Sequence, residues 1–134
     1  MKHGGIGPCM GIPVRYEPTL GPVCDSRLNE IVVGPAFLRF PPGEQSALLL
    51  HEVGHCKLRH IRARILTLLT RPWRLAALCR EQEFEADRFA RGLGHGPALA
   101  AALARLTVPE PRTWIERAAR RLHPPRSARI ARLI

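Results

Sequence analysis

Of the 11 glycines and 13 prolines in the chain, 14 fall within the first 43 positions, ending at Pro41-Pro42-Gly43. Glycine opens backbone conformations that helices do not use, and proline fixes φ and removes a donor. The stretch is therefore restricted to turns and short strands. Ile31-Val32-Val33, β-branched and closed by Gly34-Pro35, reads as a strand. Ile12 to Tyr16 reads as another, which Pro13 confines to an edge or a strand start. Past Gly43, Ala, Leu, Glu and Arg dominate to the end. At 134 residues there is room for one ordinary domain, 1–134. The expected class is α+β: an irregular or β N-terminal part over residues 1–29, one further strand, then four to six helices.

Apolar periodicity places the helices. The first starts near Gly43 or Glu44 and reaches about Leu58, with Ala47, Leu48, Leu50 and Val53 along it. A second, Arg59 to Thr70, carries Ile61, Ile65, Leu68 and Leu69 and is interrupted by Pro72. The third runs from Trp73 to Arg91 and stops at Gly92-Leu93-Gly94. Pro97 opens a fourth through Leu106, Arg112 to Leu122 forms a fifth, and Pro124-Pro125 precedes a short terminal one.

His51-Glu52-Val53-Gly54-His55 lies inside the first helix. Residues four apart share a helix face, so the two imidazoles can be directed at one metal ion. Glu52, about 100° further round the axis, stands beside such an ion and can take a proton from a metal-bound water. Zinc suits this donor set, and it lowers the pKa of its bound water towards about 7. The segment is also compatible with two histidines lining an ordinary buried helix. A catalytic zinc takes a third protein ligand and keeps one position open. On the third helix, Glu83 and Asp87 share a face with Ala90, whose small side chain allows close helix approach. Carboxylates packed towards a core need a cation. The alternative there is a solvated acidic face pairing with Arg80 and Arg88.

Three blocks, in order, make the chain resemble the M48 metallopeptidases, the family of the heat-shock membrane protease HtpX and the CAAX prenyl proteases. They are Ile31-Val32-Val33 through Glu44 to His51–His55, then Glu83-Phe84-Glu85-Ala86-Asp87-Arg88-Phe89-Ala90, then His123-Pro124-Pro125 with Arg129-Ile130 and Leu133. The similarity spans residues 30–134. It implies a zincin-like fold with Zn2+ held by His51, His55 and Glu83, and Glu52 as general base. It further implies that Asp87 supports a ligand histidine. His123 would stabilise an oxyanion or block the open coordination position, a plain turn residue being the alternative reading. The strand at 31–34, as an edge strand, would bind substrate backbone by strand addition. Many members insert membrane helices between the two metal motifs, whereas here residues 56–82 contain no spanning stretch. That short gap also suits the small ImmA-like metallopeptidases, which cleave repressors, although the His-Pro block favours M48.

The net charge is +10, and all but two of the 21 cations, Lys2 and Lys57, are arginine. Such a balance calls for an anionic partner. Between Lys57 and Arg80 there are seven cations and no acid. With the Ile61, Ile65, Leu68, Leu69 stripe, this describes a helix able to lie on an anionic membrane, the alternative being a stripe packed on the protein's own core. Arg112 to Arg132 is a second basic run, but no nucleic-acid-binding module is recognisable and aromatics make up only 5%. Met1 to Val14 is broken by Gly and Pro, so no secretory signal is expected, and no window of about 20 residues lacks charge. Cys9, Cys24, Cys56 and Cys79 lack the paired spacing of a metal knuckle and are expected as reduced thiols. The expected protein is a cytoplasmic zinc endopeptidase, soluble or peripherally attached to a membrane, acting on a protein or peptide substrate. A metal-stabilised but inactive interaction module and a basic nucleic-acid-binding protein are the rival classes.

Overall fold

The computed structural model describes residues 7–106 and 110–134. Three short strands, β1 (Val14–Tyr16), β2 (Cys24–Ser26) and β3 (Ile31–Val33), form one sheet in the order β1-β3-β2. β1 runs parallel to β3 with Val14 opposite Ile31, and β2 runs antiparallel to it with Cys24 opposite Val33. Pro13 immediately precedes β1, which is an edge strand as a missing donor requires. The expectation of an edge strand at 31–34 is corrected: β3 is the middle strand. All three of its residues are buried, as an uninterrupted apolar run demands, and both of its sides are already paired. The edge left open beside the helices belongs to β2, which is too short and too polar to announce itself in the sequence.

A 3-10 turn over Pro35–Arg39 leads into α1 (Pro42–Lys57), where proline occupies the first helical position. There follow α2 (His60–Thr70), a 3-10 turn over Pro72–Arg74, and α3 (Leu75–Gly92). Then come α4 (Gly96–Arg105), α5 (Trp114–Arg120) and α6 (Arg126–Leu133). The class is α+β, with six α-helices among the described residues. α3 stops where Gly94 adopts φ +86°, its N–H bonding Arg91 O at 2.9 Å and that of His95 bonding Ala90 O at 3.1 Å. That pair of bonds is the Schellman arrangement, and only glycine reaches it without strain.

α1 lies against α3 on one side and α4 on another, with β2 across it. Its buried Ala47, Leu48 and Val53 share one core with Ile31, Val33, Leu99 and Leu103. Gly54 decides how near α1 comes to α3. A Cβ there would lie 3.1 Å from Cα of Ala86 and 3.1 Å from Cβ of Phe89, so the two backbones meet at this point. α6 closes over α3, placing the Arg132 guanidinium 3.7 Å from the centre of the Phe84 ring.

Candidate metal centre

The close approach at Gly54 and Ala86 brings one turn of α1 against one turn of α3. His51 and His55, on one face of α1, are buried, and so is Glu83 on α3. His51 Nε2 lies 3.1 Å from His55 Nε2. The Glu83 carboxylate sits astride the pair, Oε2 3.3 Å from His51 Nε2 and Oε1 3.1 Å from His55 Nε2. Donors at the corners of a zinc tetrahedron with bonds of about 2.0–2.1 Å stand about 3.3–3.4 Å apart. The His51–His55 separation and the contact of Glu83 Oε1 with His55 each match that edge to within a few tenths of an ångström, and one donor atom from each of the three residues lies within 4.8 Å of the others. Two imidazoles and a carboxylate are also the donor set of a hydrolytic zinc, which leaves its fourth position open. The three residues present therefore fit a zinc ion.

The electrostatics show how strongly these groups depend on one another. Burial alone would raise Glu83, but contact with both imidazoles holds its carboxyl far below the usual carboxylate range. Burial alone would lower His51, yet the carboxylates of Asp87 and Glu83 push it up to about 10. Without a metal, then, a proton on His51, together with the nearby Arg129 and Arg64 guanidinium groups, compensates the buried anion. A divalent cation would do the same with three dative bonds.

The surrounding groups orient these three side chains. Asp87 Oδ1 lies 2.8 Å from His51 Nδ1, close but off the line of a good N–H···O bond. Arg129 of α6 grips Asp87 with two hydrogen bonds of 2.8 Å and lies 3.5 Å from Glu83. Among the C-terminal residues it is Arg129 that reaches the cluster. The His123 side chain is exposed in the turn after α5 and makes no hydrogen bond among the described residues. Glu52 is half-buried on the side of α1 facing β2, where its Oε1 accepts from the Cys24 thiol at 3.6 Å. Burial, reinforced by Glu52, raises the Cys24 thiol well above its ordinary value, so it remains the donor.

His60 is a participant the periodicity did not indicate. Its ring is buried, with Nδ1 2.8 Å from His55 Nδ1 and Nε2 3.1 Å from Glu85 Oε2. Burial lowers its pKa, so the ring is neutral and offers one donor and one acceptor. Were His55 Nε2 to hold a metal, the proton of that ring would sit on Nδ1 and be donated to His60 Nδ1, and His60 Nε2–H would donate to Glu85. One tautomer chain would then fix the orientation of the His55 ring, as outer partners of metal-bound histidines do. No continuous helix could make this contact, because residue 60 would lie about 140° round the axis from residue 55. Arg59 breaks the helix instead, in the left-handed region at φ 56°, and swings His60 back.

No protein-family model matches the chain, and no curated protein sequence matches it significantly. All four cysteines are free thiols.

Proposed function

We propose that the protein is a zinc-dependent endopeptidase of zincin-like fold, related to the M48 family that its motifs resemble. The observation that carries this reading is the convergence of His51 Nε2, His55 Nε2 and the Glu83 carboxylate at 3.1–3.3 Å, in a buried position. Bound there, zinc supplies a Lewis acid for a peptide carbonyl and a water acidic enough to ionise near pH 7. Glu52, next to His51 in sequence and with its carboxylate turned towards β2, would accept a proton on a carboxylate oxygen and deliver it to the leaving amine. The outer edge of β2, which pairs with no other strand among the described residues, borders this carboxylate and would hold an extended peptide by main-chain hydrogen bonds. Asp87 and Arg129 hold His51 and Glu83 in place from the opposite side.

Two substitutions test the assignment. Glu52→Gln should retain zinc and lose chelator-sensitive cleavage of a casein-type substrate, by a factor of at least about 100, the scale of general-base catalysis. Glu83→Ala should lose both. Cleavage at the parent rate by both variants would overturn the mechanism, and zinc binding without any cleavage by the parent would favour the inactive interaction module.

A further inference from the structure

α2 packs against the protein with its polar side. His60 is buried and Ala63, Arg64 and Thr67 beside it are half-buried, and His60 and Arg64 fasten the helix to α3 by hydrogen bonds. Arg64 Nε donates to Gln82 Oε1 at 2.6 Å, Gln82 donates to the His60 carbonyl at 3.2 Å, and His60 bonds Glu85. The opposite half of the helix, an arc of about 160° by helical geometry, holds Ile61, Ile65, Leu66, Leu68 and Leu69 with Arg62 among them. Ile61 in the first turn is half-buried, whereas the other four are exposed, Leu66 to 63% and Leu69 to 77%, and Trp73 beyond the helix is 76% exposed. An ordinary surface helix buries its apolar stripe. From Ile65 to Leu69 this one presents it to the surroundings, which corrects the alternative of a stripe packed on the core for three of its four residues, Ile61 being half-buried.

We propose that the outward face of α2, continued by Trp73, attaches the protein to an anionic lipid membrane. The charges around the patch select that occupant. Lys57, Arg59 and Arg62 stand at one end and Arg71 and Arg74 at the other, all exposed, with no acidic residue from 57 to 80. Long cationic side chains at the rim of an apolar strip reach lipid phosphates while the strip enters the acyl boundary, and tryptophan favours the interface. A second copy of the chain is the poorer occupant, since pairing this face with itself would bring five cations against five. The helix lies in the membrane plane rather than across it: no helix among the described residues is long and apolar enough to span. The inference does not depend on zinc or on catalysis.

Flotation of the purified chain with phosphatidylcholine vesicles, with and without phosphatidylglycerol, tests it. The protein should float with the anionic vesicles at low salt, float far less with neutral ones, and be released as salt rises. Arg62→Gln with Arg71→Gln should weaken partitioning about 25-fold, about fivefold per charge. Leu66→Glu with Leu69→Glu should abolish it while the circular dichroism spectrum is unchanged, because both side chains are exposed. Absence of the parent from anionic vesicles at low salt would overturn the proposal, as would undiminished flotation of the Leu66→Glu/Leu69→Glu variant. A parent that is instead a dimer dissociated by those two substitutions, without vesicle binding, would assign the face to self-association and equally overturn it.

Discussion

Replacing Gly54 by alanine probes the helix contact on which the whole centre depends. The added methyl would stand 3.1 Å from Cα of Ala86 and 3.1 Å from Cβ of Phe89. Carbon atoms pack best at about 3.5–4.0 Å, so α1 and α3 would have to part by roughly half an ångström. At an exposed helical site the same change stabilises by about 1 kcal/mol. Overpacking a tight contact costs about 1–3 kcal/mol, and here the obstructing atoms are backbone and a Cβ, which have nowhere to rotate. The net expectation is a loss of about 1 kcal/mol, or a Tm lower by about 3–5 °C for a domain of this size. Because Gly54 precedes His55 and Ala86 lies one turn beyond Glu83, the separation also spreads the three donors. Zinc affinity should fall by about tenfold or more, the scale at which ligands lose their supports. Calorimetry in chelator reads the first effect and competition with a chromophoric chelator the second. A Gly54→Ala protein as stable as the parent, binding zinc equally well, would refute the argument that this contact sets the site.

Two further substitutions separate support of the ligands from support of the fold. His60→Ala should weaken zinc about 10–100-fold by the same competition assay while Glu52 remains in place, and unchanged affinity would remove His60 from the ligand's hydrogen-bond chain. Arg129→Ala leaves two buried carboxylates without their guanidinium and should destabilise the metal-free protein by about 3–5 kcal/mol in urea titration, with a loss below about 1 kcal/mol contradicting the pairing.

The residues that meet between α1 and α3 were legible because an α-helix converts a spacing of four into a shared face. His51 with His55, and Glu83 with Asp87, could therefore each be placed on one helix face before any packing was known. What stayed hidden depended on neighbours or on irregular backbone. Ile31-Val32-Val33 announces a strand, but nothing in three β-branched residues says whether its two sides are paired, and Cys24-Asp25-Ser26, which pairs one of them, carries no apolar alternation. The α2 stripe was visible as a stripe, yet periodicity cannot say what it faces. That was decided by the polar fastening of His60 and Arg64 to α3. His60 itself was out of reach, because its position depends on a left-handed arginine that carries no glycine or asparagine signature. In the C-terminal block, the histidine before Pro-Pro drew the eye, whereas the arginine at 129 makes the contacts.

X-ray absorption at the zinc edge of the protein reconstituted with one equivalent of metal addresses the centre itself. Two imidazoles and oxygen at about 2.0–2.1 Å are predicted, with no sulfur in the first shell, and the imidazole scattering should weaken in His55→Ala. A sulfur shell at about 2.3 Å would contradict the account, because none of the three ligands it assigns carries sulfur.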